Sequence, residues 1–266
     1  MPLTLTPIDN GGLCHGWAWA VDDEVMLANS IARVALGQAR HVQRILAGAD
    51  LAPPPTKATQ LQGAIDLLTV KTKDDPWHRD GWMFQVMSWI AAQRARPGLA
   101  TRLPQMIKAD KGFDGLQMEL DADSGDITAV IIFEDKATDY PRDTVRDKVW
   151  SDLRGLEAGE RDNELVAHLT TLLELETRHH DIDVDAAIGR IVWQRARRYQ
   201  ISVTVGPIHA CAAGRARLFE GYDEVALGGV DRRGGNTFLV PELRPFMARL
   251  AALAIEAASE QAITHV

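Results

Sequence analysis

The most apolar run of the chain ends in three charged residues, a pattern that can serve chemistry. The run is Val130–Phe133, and Glu134, Asp135 and Lys136 follow it directly. Another acid, Asp114, lies twenty residues before Glu134. Of the seven lysines, Lys136 alone has an acidic residue two positions before it. Carboxylates beside a lysine at the end of a buried segment favour a site that handles a cation and a negatively charged substrate.

A β-hairpin is predicted to bring these residues together. Its strands are Phe113–Leu120 and Ile127–Lys136, and the turn formers between them centre the reversal on Ser124. Antiparallel pairing then joins residues whose numbers sum to 248, which makes Asp114 and Glu134 cross-strand neighbours. Directly opposed Cβ atoms lie about 4.5–5.5 Å apart.

Alternation along the strands decides which side chains share a face. Asp114, Glu134 and Lys136 are expected on one face at one end of the hairpin, and Asp135 is expected on the other face. A bulge or a register slip of one residue would break this arrangement.

Two neighbouring carboxylates repel each other unless a positive charge lies between them. Carboxylate oxygens and waters suit Mg²⁺ or Mn²⁺, and the thiolate and imidazole ligands that zinc prefers are not offered here. The ammonium of Lys136 would orient a water molecule and offset negative charge on a phosphate.

This pattern, Asp114 followed by Glu-x-Lys at the end of an apolar strand, resembles the core of the PD-(D/E)XK nucleases. The resemblance implies that Asp114 and Glu134 bind the metal ion and that Lys136 is the catalytic lysine. It implies a further metal ligand in the backbone carbonyl of Asp135. It covers residues 78–156.

The same resemblance gives roles to the flanking helices. The family often has a glutamate on the helix before the hairpin, where this chain has Gln85. Either the metal site is one charge weaker, with Gln85 as a supporting residue, or the helix is placed differently. The downstream helix, 142–156, carries Arg142 and Arg146 one turn apart, and both are expected to contact phosphate.

A second basic segment lies further along the chain. The sequence "RIVWQRARRYQ" (190–200) includes Arg195 and Arg198. These residues are predicted to contact nucleic acid, and a solvated helix face is the alternative.

The remaining pattern predicts a mixed α/β fold, in which helices flank a central mixed sheet with a restriction-endonuclease-like core. Helices are expected at 22–47, 162–180 and 184–198 and in the C-terminal segment, and strands at 199–211 and on both sides of the glycines within 224–240. Residues 1–60 are interpreted as a helical extension with a proline-rich linker. Residues 61–266 form the nuclease-like domain, with its C-terminal strands and helix at 199–260.

Composition narrows the class of protein. The net charge of −8 argues against indiscriminate coating of nucleic acid. No apolar run is long enough to span a membrane, no secretory signal is evident, and the two cysteines form no pair in sequence. These features predict a cytoplasmic protein that does not bind membranes.

The resulting hypothesis is a Mg²⁺-dependent endonuclease that hydrolyses DNA, with RNA left open as the substrate. The chain has no ATP-binding motif, so a helicase or sensor partner is expected, as in bacterial restriction and anti-phage systems. The alternative is a catalytically inactive nuclease fold that serves as a protein-interaction subunit.

Overall fold

The computed structural model of the protein describes residues 1–70, 76–108, 112–121, 127–176, 189 and 196–263. Its centre is a seven-stranded sheet. The strands are β1 (Leu3–Asp9), β2 (His15–Val21), β3 (Ala100–Thr101), β4 (Gly115–Leu120), β5 (Ile127–Lys136), β6 (Arg197–Val205) and β7 (Arg233–Leu239).

Helices cover both faces of this sheet. They are α1 (Glu24–Ala35), α2 (Ala39–Leu46), α3 (Ala58–Leu68), α4 (Pro76–Ala95), α5 (Pro141–Thr144), α6 (Trp150–Glu157), α7 (Asp162–Glu176), α8 (Ala212–Leu218), α9 (Tyr222–Val225) and α10 (Leu243–Ile263). A π-helical turn, Val145–Val149, joins α5 to α6, so that 141–157 is one continuous helix. Two short 3₁₀ helices occupy Pro207–His209 and Val230–Arg232.

The strand order across the sheet is β1-β2-β7-β6-β5-β4-β3. The central pairs β2–β7, β7–β6 and β6–β5 are parallel, and the outer pairs β1–β2, β5–β4 and β4–β3 are antiparallel. The predicted class, a mixed α/β fold with a central mixed sheet flanked by helices, is therefore confirmed.

The register of the β4–β5 hairpin agrees with the predicted sum of 248 along most of its length. Leu116 pairs with Ile132 and Met118 pairs with Val130. The register shifts at Leu120, which pairs with Ile127. The first strand begins at Gly115, two residues later than predicted. The predicted turn falls almost entirely outside the described residues.

Each face of the sheet has its own apolar core. On one face, called the α4 face, side chains of β1, β2 and β7 pack against α1, α3, α4 and α10. On the other, the α6 face, Leu116, Val130 and Ile132 pack against α6 and α7 together with residues of β6. Alternation along β5 therefore aims Glu134 and Lys136 towards the α6 face and Asp135 towards the α4 face.

Residues 1–60 contribute two strands as well as two helices. Strand β2 pairs with β7, and Leu3 and Trp19 are buried in the same core as α3, α4 and α10. The expected domain boundary at residue 60 therefore does not separate two structural units, because the N-terminal segment completes the α4 face. These strands were not predicted.

Other predicted elements differ in their ends. The helix expected over 22–47 is divided into α1 and α2 at Gly37, whose φ of 81° lies in the left-handed region. The helix expected over 184–198 lies mostly outside the described residues, and β6 already begins at Arg197. The strand expected before the glycines of 224–240 is wrong, because helix α9 and a 3₁₀ helix lie there.

Within the described part of the chain, no helix is both long enough and apolar enough to cross a lipid bilayer.

The integral position of the N-terminal strands predicts a large effect at Trp19. Its side chain is 3% exposed and lies against the rings of Phe84 and Phe238, with centroids 5.8 and 6.4 Å away. Trp19→Ala is expected to lower the free energy of unfolding by about 3–5 kcal/mol, because it leaves a cavity between β2 and α4. Urea unfolding followed by circular dichroism measures this change.

The matched control is Trp77→Ala, because Trp77 is 59% exposed. We expect that substitution to cost less than about 1 kcal/mol. Equal costs for the two substitutions would mean that the N-terminal strands are a peripheral addition.

Candidate metal and catalytic site

Helix α4 and the β4–β5 hairpin meet at the charged end of β5. Ala92 of α4 packs against Ile131 and Phe133, which point to the α4 face. One turn earlier on α4, the Ser88 hydroxyl donates a hydrogen bond to Oδ1 of Asp135, 2.7 Å away. This packing fixes the helix over the strand and brings Gln85 to the end of the sheet.

The carboxylate of Asp114 is held by two donors. The Gln85 side-chain amide donates to its Oδ1, and the backbone N–H of Asp135 donates to its Oδ2 over 2.7 Å. Because β4 begins only at Gly115, Asp114 does not follow the strand alternation used in the prediction. Its carboxylate instead lies across the end of β5, next to the backbone that carries Glu134 and Lys136.

The residue before Asp114 holds the backbone in place where the chain enters β4. Phe113 is 2% exposed, and its ring packs under the guanidinium of Arg161, 4.2 Å from the ring centroid. The guanidinium of Arg102 donates to the Phe113 carbonyl oxygen. These two contacts fix the backbone next to Asp114 independently of the hydrogen bonds that the Asp114 carboxylate accepts.

Glu134 and Lys136 form an ion pair on the α6 face. Their side chains are only 13% and 26% exposed. Burial lowers the pKa of Lys136, but the attraction of Glu134, Asp114 and Asp152 outweighs burial, so its pKa is raised above the usual value. The lysine is therefore a cation at neutral pH, and it holds its proton too tightly to act as a base.

Burial raises the pKa of both carboxyl groups. The pKa of Glu134 rises to about 7, because burial and the charges of Asp114 and Asp152 outweigh the attraction of Lys136. The pKa of Asp114 is also raised, chiefly by burial, although Lys136 and the Asp135 and Gln85 donors oppose the shift. Two acids that resist ionisation beside one lysine form an environment that an additional positive charge would stabilise.

Asp135 has a different environment, as the alternation predicts. Its side chain is buried against Ser88 and Ser202 on the α4 face. Burial and then the charge of Asp114 raise the pKa of Asp135 well above its usual range. The carboxyl group bridges α4 and β6 and faces away from Glu134, so any metal contact from this residue must come from its backbone, as the resemblance implies.

The two arginines that were predicted to contact phosphate lie on the downstream helix, but both bind groups of the protein itself. Arg142 donates to the carbonyl oxygens of Leu218 and Glu220, at 3.1 and 3.0 Å, and so ties α5 to the end of α8. Arg146 is about half exposed and forms ion pairs with Asp143 and Asp147. Both guanidinium groups are already engaged by the protein.

Of the two arginines of the second basic segment, Arg198 is not brought to the site. Arg198 pairs across the sheet with Ile131, so it lies on the α4 face near the start of β6. Its guanidinium binds Glu119 at 2.8 Å. Arg195 lies outside the described residues.

Sequence reasoning missed two charged neighbours of the site. Asp152 on α6 is exposed and acts electrostatically on Glu134 and Lys136. Arg102, just after β3, lowers the pKa of Asp114. Asp152 lies within the helix predicted downstream of the hairpin, so the sequence could have indicated it as an acidic neighbour of the site. The position of Arg102 depends on the pairing of β3 with β4, which no local pattern indicated.

Few side chains of the site can bind a metal ion, and those that can offer oxygen ligands. Asp114 and Glu134 offer carboxylate oxygens, and Gln85 offers an amide beside them. Over the described ranges, no group of three or more His, Cys, Asp or Glu side chains is arranged to hold a metal ion. Two carboxylates with water fit Mg²⁺ or Mn²⁺, which keep several waters in such sites.

Comparisons of the chain with models of protein families, with curated proteins and with solved structures gave no match. A function for the chain is therefore argued from the geometry of its own residues.

The raised pKa of Glu134 predicts a pH dependence of stability in the absence of metal. Between pH 4.5 and about 7, the folded protein keeps a proton on Glu134 that the unfolded chain has released. This contribution to stability is complete below pH 4.5 and is lost as the pH rises through 7. Its slope is at most about 1.4 kcal/mol per pH unit.

Urea unfolding in EDTA at several pH values, with wild type and Glu134→Gln, measures this contribution as the difference between their slopes. Glu224→Gln, at an exposed position, is the matched control and is expected to follow the wild type. Equal slopes for wild type and Glu134→Gln would show that Glu134 titrates as an ordinary carboxyl group.

Proposed function

We propose that the protein is a divalent-metal-dependent nuclease that hydrolyses phosphodiester bonds of DNA. The observation that supports this proposal most is the grouping of Asp114, Glu134 and Lys136 at the end of β5. Gln85 on α4 is tied to the first of these residues by a hydrogen bond. Acids that resist ionisation beside a permanently charged lysine are costly to keep unless they serve a cation and an anionic substrate.

The metal expected at this site is Mg²⁺ or Mn²⁺, held by Asp114 and Glu134. Each oxygen of the Asp114 carboxylate accepts one hydrogen bond and keeps a further lone pair for a ligand. When bound, such an ion lowers the pKa of a water molecule and stabilises charge on a phosphate.

The protein's own groups have separable roles in this chemistry. Gln85 and the N–H of Asp135 orient Asp114 before substrate arrives. Lys136, which holds its proton, places a positive charge beside the phosphate and donates hydrogen bonds to it or to the attacking water. In the hydrolysis, the attacking water gives a proton to the solvent and its oxygen forms a bond to phosphorus. The bond from phosphorus to the leaving oxygen breaks, and the leaving oxygen takes up a proton from the solvent.

The order of elements agrees with the resemblance to the PD-(D/E)XK nucleases. Helix α4, the β4–β5 hairpin and the continuous helix 141–157 follow one another as that resemblance implies. In the place of the family's glutamate, Gln85 donates a hydrogen bond to the metal-binding aspartate. The site then has two acidic side chains, and it is expected to bind the metal ion more weakly than a site with a third carboxylate.

We expect a partner protein to bring the DNA to the site. The net charge is −8, and both arginines of the downstream helix are engaged within the protein. The protein therefore attracts the phosphate backbone of DNA only weakly, and we expect it to bind DNA that a partner protein presents. A helicase or sensor protein of a restriction or anti-phage system would supply that step.

Substitutions within the site are expected to abolish cleavage. Asp114→Asn removes one metal-binding charge, and Lys136→Met removes the fixed cation. Each is expected to reduce the cleavage rate about 100-fold or more. Incubation of supercoiled plasmid with the protein and Mg²⁺, followed by gel electrophoresis, measures this rate, and EDTA should stop the reaction.

The matched controls are Asp223→Asn and Lys57→Met, at exposed positions outside the site, and both are expected to cleave like the wild type. Cleavage that persists in EDTA and in Asp114→Asn would contradict the proposal. If no protein cleaves, calorimetric titration with Mg²⁺ decides. Binding that Asp114→Asn removes supports the metal site, and no binding by the wild type contradicts it.

Restoring an acid at position 85 is predicted to strengthen metal binding. Gln85→Glu adds a third carboxylate beside Asp114, and the affinity for Mg²⁺ is expected to increase about tenfold. Without metal, the new carboxylate repels Asp114, so the same variant should be less stable than the wild type. Calorimetric titration measures the affinity, and urea unfolding in EDTA measures the stability.

The control for this change is Gln85→Met, which removes the hydrogen bond without adding a charge. It is expected to bind Mg²⁺ no more tightly than the wild type. If Gln85→Glu and Gln85→Met had the same affinity, position 85 would lie outside the reach of the metal.

A further inference from the structure

A cleft outside the candidate metal site lies on the α4 face, where the parallel strands begin. Its volume is about 640 Å³, which is within the range of small-molecule sites. We call it the sheet-end cleft. None of Gln85, Asp114, Glu134 or Lys136 lines it. Five neighbouring strands contribute to its surface, through Asp9, Trp17, Gly234, Gln200 and Ile131.

An unpartnered amide forms part of the floor. Gln200 is 3% exposed, and in the described part of the chain its Nε2 has no hydrogen-bond partner. The side chain lies flat over Gly234, where a Cβ would come within 2.5 Å of its Oε1. A buried donor without a partner costs about 1–3 kcal/mol, and a ligand that accepts its hydrogen bond would recover this cost.

Two arginines give one wall a positive charge. Arg96, which follows α4, makes no side-chain hydrogen bond or ion pair to the described residues, and its neighbour Arg198 is bound to Glu119. Burial lowers the pKa of Arg96, with Glu119 opposing the shift and Arg198 adding to it. Because Arg198 is bound to Glu119, the Arg96 guanidinium is the group in this wall that suits an anion.

The rest of the lining suits a ring and a sugar. The half-buried indole of Trp17 and the apolar side chain of Pro7 line the cleft and offer surface to a planar group. The carboxylates of Asp9 and Asp231 also line it and would accept hydrogen bonds from hydroxyl groups. Arg233 is not available to a ligand, since carbonyl oxygens of Leu13, Ala226 and Gly228 already bind it.

We propose that the sheet-end cleft binds a nucleoside 5′-phosphate, either free or at the end of a nucleic acid strand. The phosphate lies against Arg96 and Arg198, the Gln200 amide donates to the ligand, and the base lies beside Trp17. This site is separate from the nuclease site, so the two proposals stand or fall independently.

Calorimetric titration of the full chain in EDTA and low salt tests this inference, with AMP, GMP, inorganic phosphate and a 5′-phosphorylated tetranucleotide as probes. The wild type is expected to bind AMP or GMP more tightly than inorganic phosphate. Binding of the mononucleotides but not of the tetranucleotide assigns a free nucleotide, and the reverse assigns a strand end. Arg96→Gln is expected to weaken binding about tenfold, because it removes the free guanidinium.

Gln200→Leu separates a binding role from a structural one. It removes a buried donor that has no partner among the described residues, so the thermal midpoint is expected to stay the same or rise while binding weakens about fivefold or more. Arg40→Gln is the matched control, because Arg40 is exposed and does not line the cleft. Its affinity should equal that of the wild type.

Three results would overturn the proposal. One is the absence of binding by every nucleotide probe. Another is inorganic phosphate bound as tightly as the nucleotide probe that binds best. The last is nucleotide binding that Arg96→Gln and Gln200→Leu leave unchanged.

Discussion

Two carboxyl groups, Asp114 and Glu134, are held near each other at the buried end of β5, where ionising both is costly. Burial raises the pKa of each group, and Lys136 offsets the cost only in part. Without a bound cation, this arrangement adds nothing to the stability of the fold, since apolar side chains would pack there without an electrostatic penalty. The arrangement becomes favourable when a divalent cation is shared, and the proposed metal site and chemistry follow from this single constraint.

The fold supplies the rigidity that such a site needs. Strand β5 lies inside the sheet between β4 and β6, and its charged end is fixed on both faces. On the α4 face, the Ser88 hydroxyl donates a hydrogen bond to the carboxyl group of Asp135, and on the α6 face the apolar side chains of β5 pack against α6 and α7. The backbone between these layers carries Glu134 and Lys136 and also donates the N–H that orients Asp114.

Local patterns were sufficient to predict the hairpin and much of the site, but they failed where distant segments decide the structure. The turn formers around Ser124 set the predicted register, and alternation along the second strand placed Asp135 correctly on the opposite face. Strand β4 starts only at Gly115, and Phe113 before it packs under Arg161, which precedes α7, so the predicted start of the strand was two residues too early. Strands β1 and β2 escaped prediction because β2 pairs in parallel with β7, more than 200 residues away.

The most direct test of the shared-cation account is the anomalous scattering of Mn²⁺ in crystals of the protein. The account predicts a peak between the carboxylates of Asp114 and Glu134, with the Lys136 ammonium withdrawn from its contact with Glu134, and no peak in Asp114→Asn crystals. Crystals grown with excess Mn²⁺ that show no peak between these carboxylates, and an unchanged ion pair between Glu134 and Lys136, would contradict it.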